Sequence, residues 1–166
     1  DSELVVAKGD GTVQFLILPS MKVRLEVKVP VITKNRSRIL HAHFDPTGQL
    51  VVARWKDGHE AFVLSAKTGK TIATLGASDD YLDFADFSPD GKRLATGGND
   101  PVVRLWNISE QRLERVLDGH AIHVREAVFS ADGSKLLTAS YDNTARLWDT
   151  SSGRLLSVLS GHAEAV

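Results

Sequence analysis

The 166-residue chain contains no cysteine, only one methionine and no long apolar run. The absence of cysteine excludes disulfide bonds, zinc sites built on thiolates and cysteine nucleophiles. No apolar run approaches the roughly 18 residues that a membrane-spanning helix needs. The N-terminal residues also lack the basic start and the apolar centre of a signal peptide. The lack of a membrane-spanning run and of a signal peptide favours a cytoplasmic protein without a membrane partner, whereas the absence of cysteine does not identify the compartment.

The chain has no excess of charge of either sign, since 20 basic and 21 acidic residues give a formal net charge of −1. Surfaces that bind nucleic acids usually carry an excess of basic residues, so this balance argues against a nucleic-acid partner. Hydrophobic residues make up 42% of the chain, a normal share for a folded domain, and this argues against disorder.

What the sequence does contain is an internal repeat. The turn FDPTG at 44–48 recurs as FSPDG at 87–91 and as FSADG at 129–133, with spacings of 43 and 42 residues. The segment RLWNISEQR at 104–112 recurs as RLWDTSSGR at 146–154, again 42 residues later. A fixed period of this length is typical of repeat architectures.

Each copy of the repeat has the pattern of short strands joined by turns. In the last copy the strands are predicted at 124–129, 135–139, 144–148 and 154–159, and they are rich in Val, Leu, Ala and Thr. No stretch keeps a 3.6-residue apolar period, so the helix content is expected to be close to nil. The fold class that follows is all-β. A single four-stranded sheet cannot bury both faces, so the sheets must stack on one another.

The repeat resembles that of the WD-repeat family of β-propellers, in which a period near 42 residues carries Gly-His and Trp-Asp marks. The resemblance covers the whole chain and is strongest in the last two copies. It implies four-stranded antiparallel blades arranged radially around a channel. The residues that carry it are Gly119-His120, FSADG, Ser140–Asp142 and RLWD in the last copy, with FSPDG, Asp100 and RLWN in the copy before; Leu64 and Leu16 replace the tryptophan earlier.

On this basis the chain is divided into a partial blade over 1–29, blades over 38–76, 81–118 and 123–160, and the first strand of a further or closing blade over 161–166. Family propellers usually have seven blades, so four sheets imply a slice of a larger propeller or one partner in an assembly. The three N-terminal strands have an open inner edge that a C-terminal strand would fit. Two chains could therefore form a homo-oligomer by exchanging these strands and closing an eight-bladed ring. Loss of flanking blades is the competing explanation, and it is the one that we favour.

Three residues of the last copy, His120, Ser140 and Asp142, are the residue types of a hydrolase triad. No Gly-x-Ser-x-Gly elbow surrounds Ser140, however. The family resemblance instead implies a structural hydrogen-bond network in which Trp148 joins the three and buried polar groups satisfy one another. We predict this network and no catalytic residue. The preceding copy keeps only part of it, with Asp100 and Trp106 present and Gly98 in the serine position.

Neither a metal nor a cofactor site is predicted. His41 and His43 alternate onto one face of a strand, but Asp45 points to the other face, and zinc needs three or four ligands. We expect the two histidines to line a channel or to pack between blades. The glycine-bearing turn at 97–100 lacks the lysine and the following helix of a nucleotide-binding loop.

A set of positions varies between copies and, by the resemblance, faces the top of the propeller, where partners bind. Tyrosine and arginine are the residue types that anchor interfaces, and the mixed charges indicate a protein or peptide partner. We therefore predict a non-catalytic interaction scaffold; the alternative is a sensor or regulatory module of a larger signalling ATPase or kinase. The predicted rim residues are Arg38, Leu40, Lys56, Tyr81, Asp83, Asn99, His123, Arg125 and Tyr141.

Overall fold

A computed structural model of the protein describes residues 2–30, 39–55, 58–76 and 81–161. These residues form fifteen strands and no helix, which confirms the all-β prediction. None of them belongs to a helix long and apolar enough to span a bilayer. The predicted strand at 161–166 lies outside the described residues, apart from Gly161.

The strands pair antiparallel in four sheets, which we number as blades 1 to 4 in chain order. Blade 1 has three strands, and the other blades have four each. In blade 4 the strands begin and end within one residue of the predicted positions. The strands are β1 Glu3–Ala7, β2 Thr12–Ile17 and β3 Lys22–Lys28 (blade 1); β4 Ile39–Phe44, β5 Leu50–Trp55, β6 Ala61–Ser65 and β7 Thr71–Leu75 (blade 2); β8 Leu82–Phe87, β9 Arg93–Gly98, β10 Val102–Asn107 and β11 Arg112–Asp118 (blade 3); β12 Val124–Phe129, β13 Lys135–Ser140, β14 Ala145–Asp149 and β15 Leu155–Leu159 (blade 4).

Three apolar cores hold the blades together, one at each junction between neighbours. Phe15 of blade 1 packs with Val51 of blade 2 in the first core, and Val63 packs with Leu94 in the second. In the third core Leu105 of blade 3 is buried with residues of blade 4. A middle blade therefore contributes both of its faces to cores, as the stacking argument requires.

Trp55 packs in the core between blades 1 and 2, at the position that Ser140 has in blade 4. Its side chain is 3% exposed, and its Nε1 donates a hydrogen bond to the Pro30 carbonyl at 3.1 Å. Gly11 makes room for the ring, because a Cβ there would lie 2.8 Å from a ring carbon. Its φ of +89° also favours glycine.

The outermost strand of every blade contains a β-bulge with one unpaired residue. In blade 1 this residue is Arg24, which forms an ion pair with Glu3. In blade 3 it is Glu114, which forms an ion pair with Arg93 at 2.7 Å, so the charges are reversed. The same two positions are apolar in blade 2, where Leu50 and Ile72 line one cleft. In these three blades the two positions are thus both charged or both apolar, whereas blade 4 combines Leu156 with Lys135.

We predict that the Arg93–Glu114 pair is exchangeable. Arg93→Glu places two carboxylates together and should lower the free energy of unfolding by about 1 kcal/mol, since the pair is partly exposed. The double variant Arg93→Glu/Glu114→Arg should recover most of that loss in urea unfolding. Lys92→Glu, at a highly exposed neighbouring position, is the matched control and should change stability by less than about 0.5 kcal/mol. A double variant as unstable as the sum of both single variants would contradict the pairing.

Candidate functional site

The Thr138 hydroxyl is the centre of the polar network of blade 4. Its Oγ1 accepts a hydrogen bond from Trp148 Nε1 at 2.9 Å and lies 2.7 Å from His120 Nε2. His120 Nδ1 lies 2.9 Å from a carboxylate oxygen of Asp142. Because an ionised carboxylate only accepts, we assign the imidazole proton to Nδ1, which leaves Nε2 to accept from Thr138. The indole, the hydroxyl, the imidazole and the carboxylate therefore form one continuous chain.

Asp142 remains ionised in this network. Burial raises its pKa, but hydrogen bonds from Thr144, from the Ala121 amide and from His120 outweigh burial and hold the pKa well below its usual range. The Thr144 hydroxyl donates at 2.6 Å and the Ala121 amide at 2.9 Å. Burial lowers the pKa of His120 despite the neighbouring carboxylate. At neutral pH the geometry thus pairs a neutral imidazole with a carboxylate.

A catalytic triad requires the serine hydroxyl to contact the imidazole, but Ser140 joins the network elsewhere. Its Oγ donates to the His123 carbonyl at 2.8 Å and accepts from the Asp142 amide at 3.1 Å. The hydroxyl at the imidazole belongs to Thr138, which the sequence reasoning did not select. A signal was present, because a threonine stands ten residues before the tryptophan in both of the last two copies.

Of this network, blade 3 keeps only the hydrogen bond between the tryptophan and the threonine. Trp106 Nε1 donates to Thr96 Oγ1 at 2.8 Å, as in blade 4. The turn carboxylate of Asp100 is held by Arg104 at 2.7 Å. Ala77 or Ser78 takes the place of His120 in this repeat, and both lie outside the described residues. Gly98 replaces the serine, and a Cβ there would lie 2.2 Å from the Tyr81 carbonyl oxygen. A serine therefore cannot fit at this position without a backbone shift.

Blades 1 and 2 replace both ends of the hydroxyl–indole bond by apolar groups. The strand register places Val6 and Ala53 in the threonine position. Leu16 and Leu64 take the tryptophan position and are 7% and 0% exposed. At these two positions each blade therefore has either a hydrogen-bonded threonine and tryptophan or two apolar side chains. No tryptophan stands at the second position without a threonine at the first.

We predict that Thr138→Val destabilises the fold more than Ser140→Ala does. The valine is nearly isosteric but leaves the His120 ring and the Trp148 N–H without their partner, so unfolding should become easier by about 2–4 kcal/mol. Ser140→Ala removes the hydroxyl that donates to the His123 carbonyl and accepts from the Asp142 amide, but that carbonyl keeps its bond from the Tyr141 amide, so the cost should be about 1–2 kcal/mol. Thr138→Ser keeps the hydroxyl and is the control. Chemical unfolding decides the order, and a larger loss for Ser140→Ala would contradict it.

We predict that this network weakens in acid. Burial places the pKa of folded His120 below its usual 6.5, so the folded state binds a proton less readily than the unfolded state. The stability contribution of His120 is therefore complete above about pH 6.5 and is lost as the pH falls from there through the lower pKa of the folded state. Unfolding free energies at pH 7.5 and pH 5.5 should differ more for the wild type than for His120→Gln. Equal differences in the two proteins would contradict the assignment.

The innermost strands of blades 2, 3 and 4 each contain a β-bulge at the same point. The unpaired residues are Leu40, Asp83 and Arg125. A bulge takes one residue out of the ladder and redirects its side chain. These three are among the nine positions that vary between the copies, and at these three the bulge accounts for the variation, because such a residue is not constrained by a cross-strand partner.

Two exposed aromatic groups lie beside these bulges. Tyr141 is 45% exposed, with the His123 ring 6.2 Å and the Arg125 guanidinium 5.9 Å from its centroid. Tyr81 is 46% exposed, and its centroid lies 5.0 Å from that of His59. Tyrosine is enriched in the cores of protein interfaces, so these exposed tyrosines suit contact with another molecule.

The other predicted rim residues are placed only in part. Asn99 is exposed, and its backbone N–H donates a hydrogen bond to the Tyr81 carbonyl at 2.9 Å. Arg38 and Lys56 lie outside the described residues, and only the backbone of Leu40 is described. We therefore use the name docking rim for the six described residues whose side chains are exposed: Tyr81, Asp83, Asn99, His123, Arg125 and Tyr141.

His41 and His43 line an open cleft of about 470 Å³ between the innermost strands. His43 Nε2 lies 3.4 Å from Asp86 Oδ1 of the next blade. Burial lowers the pKa of His41 and raises the pKa of Asp86. Within the described part of the chain, no three acidic or histidine side chains are grouped so that they could hold a metal ion.

Arg54 closes the inner wall of this cleft. It is 7% exposed, and its guanidinium donates to the Leu82 carbonyl at 2.9 Å and to the Asp83 carbonyl. It thereby fixes the bulge of blade 3 from the side of blade 2. Sequence reasoning gave no role to Arg54.

Stacked four-stranded antiparallel sheets with this period and this network define the class: they are blades of a β-propeller. Residues 28–107 and 111–149 match the family model described as "WD domain, G-beta repeat". The chain therefore belongs to the WD40-repeat family. Proteins of this family generally act as protein-interaction scaffolds without enzymatic activity.

Similar proteins include much longer chains. The chain is 36% identical over 64 residues, 39% of its length, to a periodic tryptophan protein 2 homolog of Schizosaccharomyces pombe. It is 37% identical over 65 residues, 36% of its length, to the general transcriptional corepressor TUP1 of Saccharomyces cerevisiae. It is 29% identical over 85 residues, 51% of its length, to a coronin-like protein of that yeast. These matches cover only 8%, 9% and 13% of the relatives' lengths.

Proposed function

We propose that the protein is a non-catalytic scaffold that binds a peptide segment of a partner protein on its docking rim. The observation that carries this proposal is the group formed by Tyr141, Arg125 and His123. All three side chains are exposed, yet the two rings and the guanidinium contact one another. Aromatic and arginine side chains held in place lose little conformational entropy on binding and are typical anchors of interfaces.

The network beneath the rim supports a structural role instead of a catalytic one. The hydroxyl next to the imidazole belongs to Thr138, which is 0% exposed and already accepts a hydrogen bond from the indole. A nucleophile must reach its substrate, and this oxygen has no access to solvent. Ser140, also 0% exposed, is bonded to backbone groups. The network instead holds the turn that presents Tyr141.

Binding should depend on Tyr141 and Arg125 without a loss of fold. The test begins with peptides selected from a random-peptide display library on the immobilised wild-type chain. Tyr141→Ala and Arg125→Ala should each weaken these peptides by about tenfold or more, as expected for an interface anchor. Lys135→Ala, exposed at the opposite end of the same blade, is the control and should not change affinity. Selected peptides that ignore both rim variants would refute this proposal.

A module within a larger signalling protein is the second candidate, and the length of the relatives favours it. One relative, 35% identical over 88 residues, is named "Bromodomain and WD repeat-containing", and the match covers 4% of it. Here the docking rim would gate a neighbouring domain. Sequencing the gene on both sides of this segment tests the idea: an adjoining catalytic domain supports it, and the lack of one removes it.

Closure of a ring by a second copy of the chain also remains a prediction. The outer strand of blade 4 leaves Leu159 48% exposed, whereas the matching Leu117 of blade 3 is 1% exposed beneath blade 4. A further sheet would cover this face, and a second copy could supply it. Light scattering that finds only monomer at all concentrations would remove the homo-oligomer.

A further inference from the structure

The docking rim carries opposite charges at equivalent positions of two neighbouring blades. Asp83 is the bulge residue of blade 3, and Arg125 is the bulge residue of blade 4. Both side chains are exposed. Because the two residues occupy the same position of the repeat, both charges are presented at the same end of adjacent inner strands.

Neither charge is neutralised by a direct ion pair. Within the described ranges of the chain, no salt bridge involves Asp83 or Arg125. Arg54 interacts electrostatically with Asp83, but its guanidinium donates to the carbonyls of Leu82 and Asp83 and not to the carboxylate. Arg125 lies near the Tyr141 ring, which leaves its outward N–H groups able to bond a ligand.

Each charge also has its own exposed aromatic neighbour. Tyr81, with His59 against it, stands two residues before Asp83. Tyr141, with His123 against it, lies beside Arg125. The rim therefore has two stations, an acidic one at Tyr81 and Asp83 and a basic one at Tyr141 and Arg125.

We propose that the partner segment is dipolar: it places a lysine or arginine over Asp83 and an aspartate or glutamate over Arg125, with apolar side chains against the two tyrosines. This inference rests on the proposed function of the docking rim. Electrostatic complementarity of this kind fixes the direction in which a peptide lies, because the reversed peptide would face like charges. A uniformly anionic ligand is disfavoured, since Asp83 would repel it.

The test selects peptides separately on four proteins: wild type, Asp83→Lys, Arg125→Glu and the double variant. Wild type should enrich peptides with one basic and one acidic residue in a fixed order and spacing. Asp83→Lys should lose the basic preference, and Arg125→Glu should lose the acidic one. The double variant should select the reversed order. A peptide chosen on wild type should bind each single variant about tenfold or more weakly.

Two controls separate this inference from the proposed function. Lys135→Glu, a charge reversal at the far end of blade 4, should keep the wild-type preference. Asp83→Asn, a milder change, should weaken the basic preference even if Asp83→Lys disturbs Arg54 beneath it. Peptides that depend on Tyr141 but show the same charge pattern on all four proteins would overturn the dipolar partner alone. Peptides that do not depend on Tyr141 would overturn the docking rim as well.

Discussion

The structure depends on one constraint: the sheets of the two middle blades, 2 and 3, are apolar on both faces, so each face must be covered by a neighbouring sheet. Blade 3 shows this directly, because Leu94 is buried with blade 2 while Leu105 is buried with blade 4. Burial of each such side chain is worth about 1.5–3 kcal/mol, more than any exposed ion pair on the molecule. This burial constrains the side chains of the paired strands, so the sequence varies between blades at the bulges and turns.

Buried polar groups in this stack must then be paired inside it. In blade 4 the Thr138 hydroxyl provides this pairing, because it hydrogen-bonds both the indole of Trp148 and the imidazole of His120. Blades 1 and 2 avoid the demand with aliphatic side chains at the same positions. The two solutions are physically equivalent, since leaving one buried partner unpaired is the costly outcome. The histidine, serine and aspartate of the last repeat therefore belong to the architecture, and they hold the turn that exposes Tyr141.

Much of the fold could be predicted from the sequence because the repeat is visible in it. In blade 4 the turns Ala-Asp-Gly, Tyr-Asp-Asn and Ser-Ser-Gly and the apolar strands between them predicted the strand boundaries to within one residue. The site was harder to predict. The sequence repeats a threonine ten residues before the tryptophan, but this spacing does not show that the hydroxyl binds an imidazole from a distant loop, so Thr138 was missed. Arg54 was missed for the same reason, since its carbonyl partners belong to the next blade.

The β-bulges could not be predicted from the sequence either. Asp83 and Arg125 were selected because they vary between copies, but variation alone does not say that a residue has left the ladder. Whether a strand bulges depends on pairing with its neighbour, and a single strand's sequence does not contain that information. The two charges could be read from the sequence; their presentation on equivalent bulges could not.

The most direct test of the account is backbone amide chemical-shift mapping of the folded chain titrated with a selected peptide. The account predicts that the shifts change at the docking rim, around Tyr81, Asp83, Arg125 and Tyr141, while the amides of the opposite turns at 88–92 and 130–134 stay unchanged. Changes confined to those opposite turns, with the rim silent, would contradict it.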